Sequence, residues 1–115
     1  MNTPDKITNL DYLTELAKGN QEFINEMIQI FLNENPQEVN NLSAAIDRQD
    51  HAAIKSTAHK MKSTIPFVGV DKIIGNEVAE IEKLGTDKGD IQKIQTLFEK
   101  VKDICEKAAE ELKAS

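Results

Sequence analysis

Apolar positions recur at intervals of three and four along almost the whole chain, and β-type alternation is nowhere sustained for more than a few residues. The last segment is the clearest. There Ile91, Ile94, Phe98, Val101, Cys105, Ala108 and Leu112 form one seam, with Asp90 as N-cap after the turn Gly85-Thr86-Asp87-Lys88-Gly89. Ile74, Val78, Ile81 and Leu84 or Gly85 predict a shorter helix beginning near Asp71, and Ile54, Ala58, Met61, Ile65 and Val68 predict another, begun at Asp50. A long segment from Asn20 towards Asp47 places Phe23, Met27, Ile30, Phe31, Val39, Leu42 and Ile46 inward. Pro36 must kink that segment or start a new helix, because proline lacks the N–H and crowds the preceding turn. A short leading helix, about Thr8 to Lys18, carries Leu10, Leu13 and Leu16 and stops at Gly19.

Four main helices with short connections predict an all-α fold, an antiparallel up-down four-helix bundle with a short extra N-terminal helix, as a single domain over residues 1–115. The 39% apolar and 30% charged residues suit a globular protein, and the absence of tryptophan makes the core mostly aliphatic. A net charge of −6 argues against a nucleic-acid partner. Cys105 is the single cysteine, so an intrachain disulfide is excluded, and its place on the last seam makes it a core residue. MNTPDKITNL lacks the pattern of a signal peptide, and no apolar run approaches the roughly 18 residues of a membrane span. The expectation is a cytoplasmic, free-standing protein that binds no membrane. A second apolar seam is hinted at only over 23–32, so a monomer is expected.

One window departs from the acidic background. Residues 51–70 contain no Asp or Glu, yet they hold Lys55, Lys60, Lys62 and both histidines. The plain account is a solvated helix face that happens to carry lysines. On a helical wheel centred on the apolar stripe, however, His59 lies about 140° from the centre, Lys55 and Lys62 flank it at about 100° and 80°, and Ser63 is near 180°. An isolated histidine on a helix is usually a surface residue and nothing more. This one is predicted to be an exposed imidazole among cations, with a small side chain one turn on. A neutral imidazole nitrogen is a good nucleophile near neutral pH, and nearby lysines stabilise the charge that a phosphoryl group adds. Phosphoryl transfer depends on positioning more than on covalent help, so a partner could bring its own carboxylate and Mg²⁺ to such a ring.

Ala58-His59-Lys60-Met61-Lys62-Ser63, followed by Gly69, resembles the signature of histidine-containing phosphotransfer (HPt) domains: an exposed His, a large apolar residue two on, Lys three on, a small residue four on and Gly ten on. The resemblance covers about 90 residues, from Phe23–Pro36 through the helix ending near Leu112. It implies a four-helix bundle in which His59 accepts a phosphoryl from a receiver-domain aspartate and passes it to another receiver's aspartate. Lys62 would stabilise the phosphoryl or steer the acidic receiver site, with Lys55 and Lys60 in support, and Ser63 would be the close-approach position. Met61 and Gly69 would be structural. The implied partners are receiver domains of hybrid histidine kinases and response regulators. The chain would be a carrier without an ATP site, an expectation that matches the absence of a Gly-rich phosphate loop. No cofactor or metal is implied on this chain, Mg²⁺ being expected on the receiver.

Ser63 is bulkier than the glycine common at its place, which narrows the partner range. Pro66 removes the hydrogen bond to the Lys62 carbonyl, so a kink or early helix end is expected, with Gly69 turning the chain. Some family members hydrogen-bond the imidazole from a Gln on the next helix. Here that region offers Glu77, Glu80 and Glu82, and the role is not carried over. Phe67 is either a docking contact near the active face or is tucked into the core. Leu32 is read as a docking residue and Ile24 as covered by the leading helix. His51, two turns from His59, is given no function, and Glu106–Glu111 is read as a solvated face. The alternative function is a helical docking module for receivers that carries no phosphate.

Overall fold

The computed structural model describes residues 7–114, and among them every regular element is helical. The order is α1 (Asp11–Ala17), α2 (Gln21–Asp47), α3 (His51–Thr64), a 3-10 turn (Ile65–Val68), α4 (Asp71–Thr86) and α5 (Ile91–Ala114). Three of the four long helices start at side-chain caps. Asn20 Oδ1 accepts from the Phe23 N–H, Asp50 Oδ1 from Ala53 and Asp90 Oδ1 from Gln92, each satisfying a donor that the first helical turn leaves without a partner.

α2 packs on α3, α3 on α4, α4 on α5 and α5 on α2, closing a ring around one aliphatic core. Ile54, Ala58, Met61, Ile65 and Val68 are all buried, as are Ile94, Phe98, Val101, Cys105, Ala108 and Leu112, in agreement with the two seams read from spacing. In α4 the buried residue at the end of the stripe is Gly85, inside the helix rather than in the turn, while Leu84 is half-buried.

The long helix corrects the reading most. It is continuous through Pro36, so of the two expectations there, a kink or a new helix, the new helix is not met. Its buried stripe in the first half is Ile24, Phe31 and Asn35 rather than Phe23 and Ile30, which are 36% and 45% exposed. From Ile24 the inward positions run through Ile28, Phe31, Asn35, Glu38, Val39, Leu42, Ala45 and Ile46, a steady three-four alternation that includes two polar residues. An apolar-only reading skips Asn35 and Glu38 and so drifts to the wrong face. Inside, Asn35 Nδ2 donates to Cys105 Sγ at 3.6 Å, and Glu38 accepts from the Thr64 hydroxyl at 3.3 Å.

The leading helix is shorter than expected, starting at Asp11. Leu13 is buried, Leu16 is exposed, and Ile24 is covered. Glu111 is not part of a solvated face. Its carboxylate accepts from the Ile7 and Thr8 backbone N–H groups and from the Thr8 hydroxyl, tying the N-terminal segment to the end of α5. His51 Nε2–H donates to the Gly89 carbonyl, a structural role consistent with its being given no function.

After Thr64 the α-helix gives way to the 3-10 turn containing Pro66, and Gly69 ends that turn at φ +80°. Asn9 N–H donates to the Val68 carbonyl there, and a Cβ on Gly69 would stand 2.5 Å from the Asn9 carbonyl oxygen. Two penalties therefore fall on any side chain at this position, a left-handed backbone and a backbone clash. Gly69→Ala is expected to lower unfolding stability by about 1–3 kcal/mol in a urea titration, and an unchanged midpoint would contradict this account of the turn.

Candidate functional site

α3 presents its outer face to solvent and one flank to α4, and the candidate residues divide between them. His59 sits at mid-helix with its side chain 70% exposed. Lys55 and Lys60 are exposed and make no ion pair among the described residues. Ser63 is exposed, its hydroxyl donating to the Lys60 carbonyl at 2.8 Å, which folds the small side chain back onto its own helix. Met61 lies in the core, between the two solvent-facing turns.

Lys62 is not an isolated cation. Its Nζ is 2.8 Å from Glu82 Oε1, and the other oxygen of the same carboxylate, Oε2, is 2.8 Å from His59 Nδ1. Glu82 is thus shared between the lysine and the imidazole across the α3–α4 seam, and its side chain is only 17% exposed. The hydrogen bond from Lys62, then that from His59, hold the Glu82 carboxyl below its ordinary value of 4.5. An ionised carboxylate only accepts, so the contact requires a proton on Nδ1. In the neutral ring the lone pair then lies on Nε2, on the side away from Glu82.

Glu82 is the site residue that sequence reasoning left out. Of the three carboxylates in that region, Glu77 pairs with Lys100 at 2.8 Å and Glu80 with Lys93 at 3.7 Å, both towards α5. The wheel did carry a signal. Around the stripe of Ile74, Val78, Ile81 and Gly85, Glu82 falls about 70° to one side and Glu77 and Glu80 fall on the other. Knowing which flank faces α3 requires the handedness of the packing, which no single-helix pattern contains.

Phe67 is half-buried and packs on Tyr12 of α1, ring centroids 6.3 Å apart at 35°. It is neither fully in the core nor a lone exposed aromatic. Leu32 is half-buried and packs against the core, so only part of it is open to a partner. Burial pushes the Cys105 thiol up to about 11, leaving it protonated and unreactive. Among the described residues no three His, Cys, Asp or Glu side chains stand together as a metal site. No helix there is long and apolar enough to cross a membrane.

The model of the Hpt domain family matches residues 26–113. The chain belongs to the Hpt domain family. No curated protein and no solved structure matches it. Hpt domains are phosphocarrier modules of two-component signalling that work with receiver domains and are not kinases. The matched span begins in the second turn of α2, so α1 lies outside it, while α3, the 3-10 turn and α4 lie wholly within it.

Two buried or half-buried glutamates at the ends of α3's flanks give opposite pH signatures. Glu82 is held below 4.5 in the folded protein, so its contribution to stability is full above 4.5 and is lost as pH falls through the lowered value. Glu38 is raised, chiefly by burial, so stability declines as pH rises from 4.5 through the raised value. Chemical denaturation across pH should therefore find Glu82→Gln less stable than wild type at neutral pH. Glu38→Gln should equal or exceed wild type there, and both differences should shrink in acid. Parallel pH profiles for all three proteins would contradict these environments.

Proposed function

We propose that this Hpt domain is a phosphorelay intermediate that takes a phosphoryl group from a receiver-domain aspartate onto His59 and delivers it to the aspartate of another receiver. The observation that carries the reading is an imidazole open to solvent on one side and tied through Nδ1 to an ionised carboxylate on the other. In the forward step Nε2 attacks phosphorus, the P–O bond of the aspartyl phosphate breaks, and the aspartate leaves as carboxylate. The ring keeps its Nδ1 proton, and the positive charge it gains lies beside Glu82, which stabilises it. The reverse step returns the phosphoryl to a second aspartate by the same path.

Lys62 acts through Glu82 in the resting protein. Lys55 and Lys60, unpaired on the outer face, supply the positive field that draws an acidic receiver pocket to an otherwise acidic molecule. Ser63, with its hydroxyl turned back to its own helix, leaves space beside the ring for that approach. Phe67 with Tyr12, and the open part of Leu32, are docking contacts at the edge of the footprint. We take the bundle as antiparallel up-and-down and the domain as the single unit of residues 1–115. The protein works as a cytoplasmic monomer, with Mg²⁺ supplied by the receiver and no cofactor of its own. The partners are the receivers of hybrid histidine kinases and of response regulators, and nucleic acid and membranes are not among them.

Mixing the protein with a phosphorylated receiver and Mg²⁺ should add one phosphoryl to its intact mass, labile in acid and stable in base. His59→Gln should remove that addition while leaving helicity unchanged. Receiver binding with no added mass would instead support a docking module that carries no phosphate.

A further inference from the structure

Glycine weakens a helix interior, so each one inside α4 invites a reason. At Gly75 a Cβ would meet only the Asp71 Cβ, at 3.8 Å, an ordinary contact. At Gly85 it would stand 2.9 Å from the Lys55 backbone nitrogen and 3.1 Å from the Lys55 Cα and the His51 carbonyl oxygen. These are backbone atoms of α3 and cannot rotate aside. The α3 and α4 backbones therefore approach at Gly85 more closely than a side chain of any size permits.

That contact lies one turn from the site on both helices. Lys55 precedes His59 by four residues on α3, and Glu82 precedes Gly85 by three on α4, so each pair shares a helix face. Residue number rises along one helix as it falls along the other, and the backbone contact and the Glu82 bridge are successive rungs of one seam. We infer that Gly85 is a positioning residue for the phosphoacceptor. By letting the two backbones touch, it sets the reach at which Glu82 bridges Lys62 and His59 and holds the imidazole as the Nδ1–H tautomer. The inference rests on the reading of His59 as the phosphoryl carrier.

A methyl group at residue 85 must move the helices apart by roughly 0.5–1 Å to restore ordinary contact at this crossing. Both bridge bonds are 2.8 Å, and the same displacement stretches one of them to about 3.3–3.8 Å, where a hydrogen bond is weak or lost. A carboxylate held at both oxygens has little slack. The flexible lysine stem follows Glu82, whereas the imidazole is rigid, so the bond released is the one to His59.

The test compares wild type, Gly85→Ala, Gly75→Ala and Glu82→Asp. One readout is the ¹⁵N chemical shifts of the neutral His59 ring, which report the tautomer without any phosphorylation. The other is the rate of phosphorylation by phosphoramidate, whose P–N bond breaks as P–Nε2 forms and ammonia leaves. Gly85→Ala should lose the Nδ1–H preference and slow the reaction about tenfold, the scale of one lost charge-assisted hydrogen bond. Gly75→Ala should change neither. Wild-type tautomer and rate in a folded Gly85→Ala protein would overturn the inference. If that variant fails to fold, Glu82→Asp shortens the reach inside an intact bundle, and wild-type behaviour there overturns it equally. Failure of wild type itself to be phosphorylated would overturn the carrier reading, and the tautomer comparison would still decide the role of Gly85.

Discussion

For a carboxylate on one helix to hold an imidazole on the next, the two backbones must run close at that level, and the α3–α4 seam meets this condition through a glycine. Gly85 brings the chains into contact beside Lys55, and one turn along Glu82 spans the gap to both Lys62 and His59. The other features of the site follow from that spacing. The carboxylate stays ionised because a lysine and an imidazole both bond to it, and the ring keeps its proton on Nδ1, with Nε2 on the side away from Glu82 of a side chain that is 70% exposed. The core beneath, with Ile54, Ala58 and Met61 fully buried, keeps α3 from rotating and so keeps the outer face outward.

Electrostatics divides the labour among the lysines. Lys62 is committed to Glu82, whereas Lys55 and Lys60 remain open to a partner, on a chain whose net charge is −6. A local positive face on an acidic body favours approach of an acidic partner from one side of the molecule, and in the proposed function α3 is that side. The 3-10 turn at Pro66 and the left-handed Gly69 end α3 soon after Ser63 and lead the chain under α1, where Phe67 meets Tyr12. α3 is therefore short, capped at Asp50 and followed at once by the 3-10 turn.

Much of this was legible without coordinates because α3, α4 and α5 are amphipathic in the simplest way, with apolar residues inward and few exceptions. The same wheel that buried Ile54 and Met61 exposed His59, so the place of the imidazole followed from its neighbours. α2 misled because its inward stripe includes Asn35 and Glu38, while Phe23 and Ile30 nearer its start face outward, and hydrophobicity alone chooses the wrong face there. Glu82 was missed for a different reason. Its placement depends on how two helices are turned towards each other, and Gly85, which records their closeness, reads in sequence only as the end of the apolar stripe or the first residue of the turn.

The central claim is that Glu82 holds the Nδ1 proton and leaves Nε2 as the nucleophile. The most direct measurement is the position of the phosphorus on the phosphorylated ring, read from ³¹P–¹⁵N couplings in protein labelled at histidine. The account predicts phosphorus on Nε2 of His59 alone. Phosphorus on Nδ1, the nitrogen that Glu82 occupies, would contradict it.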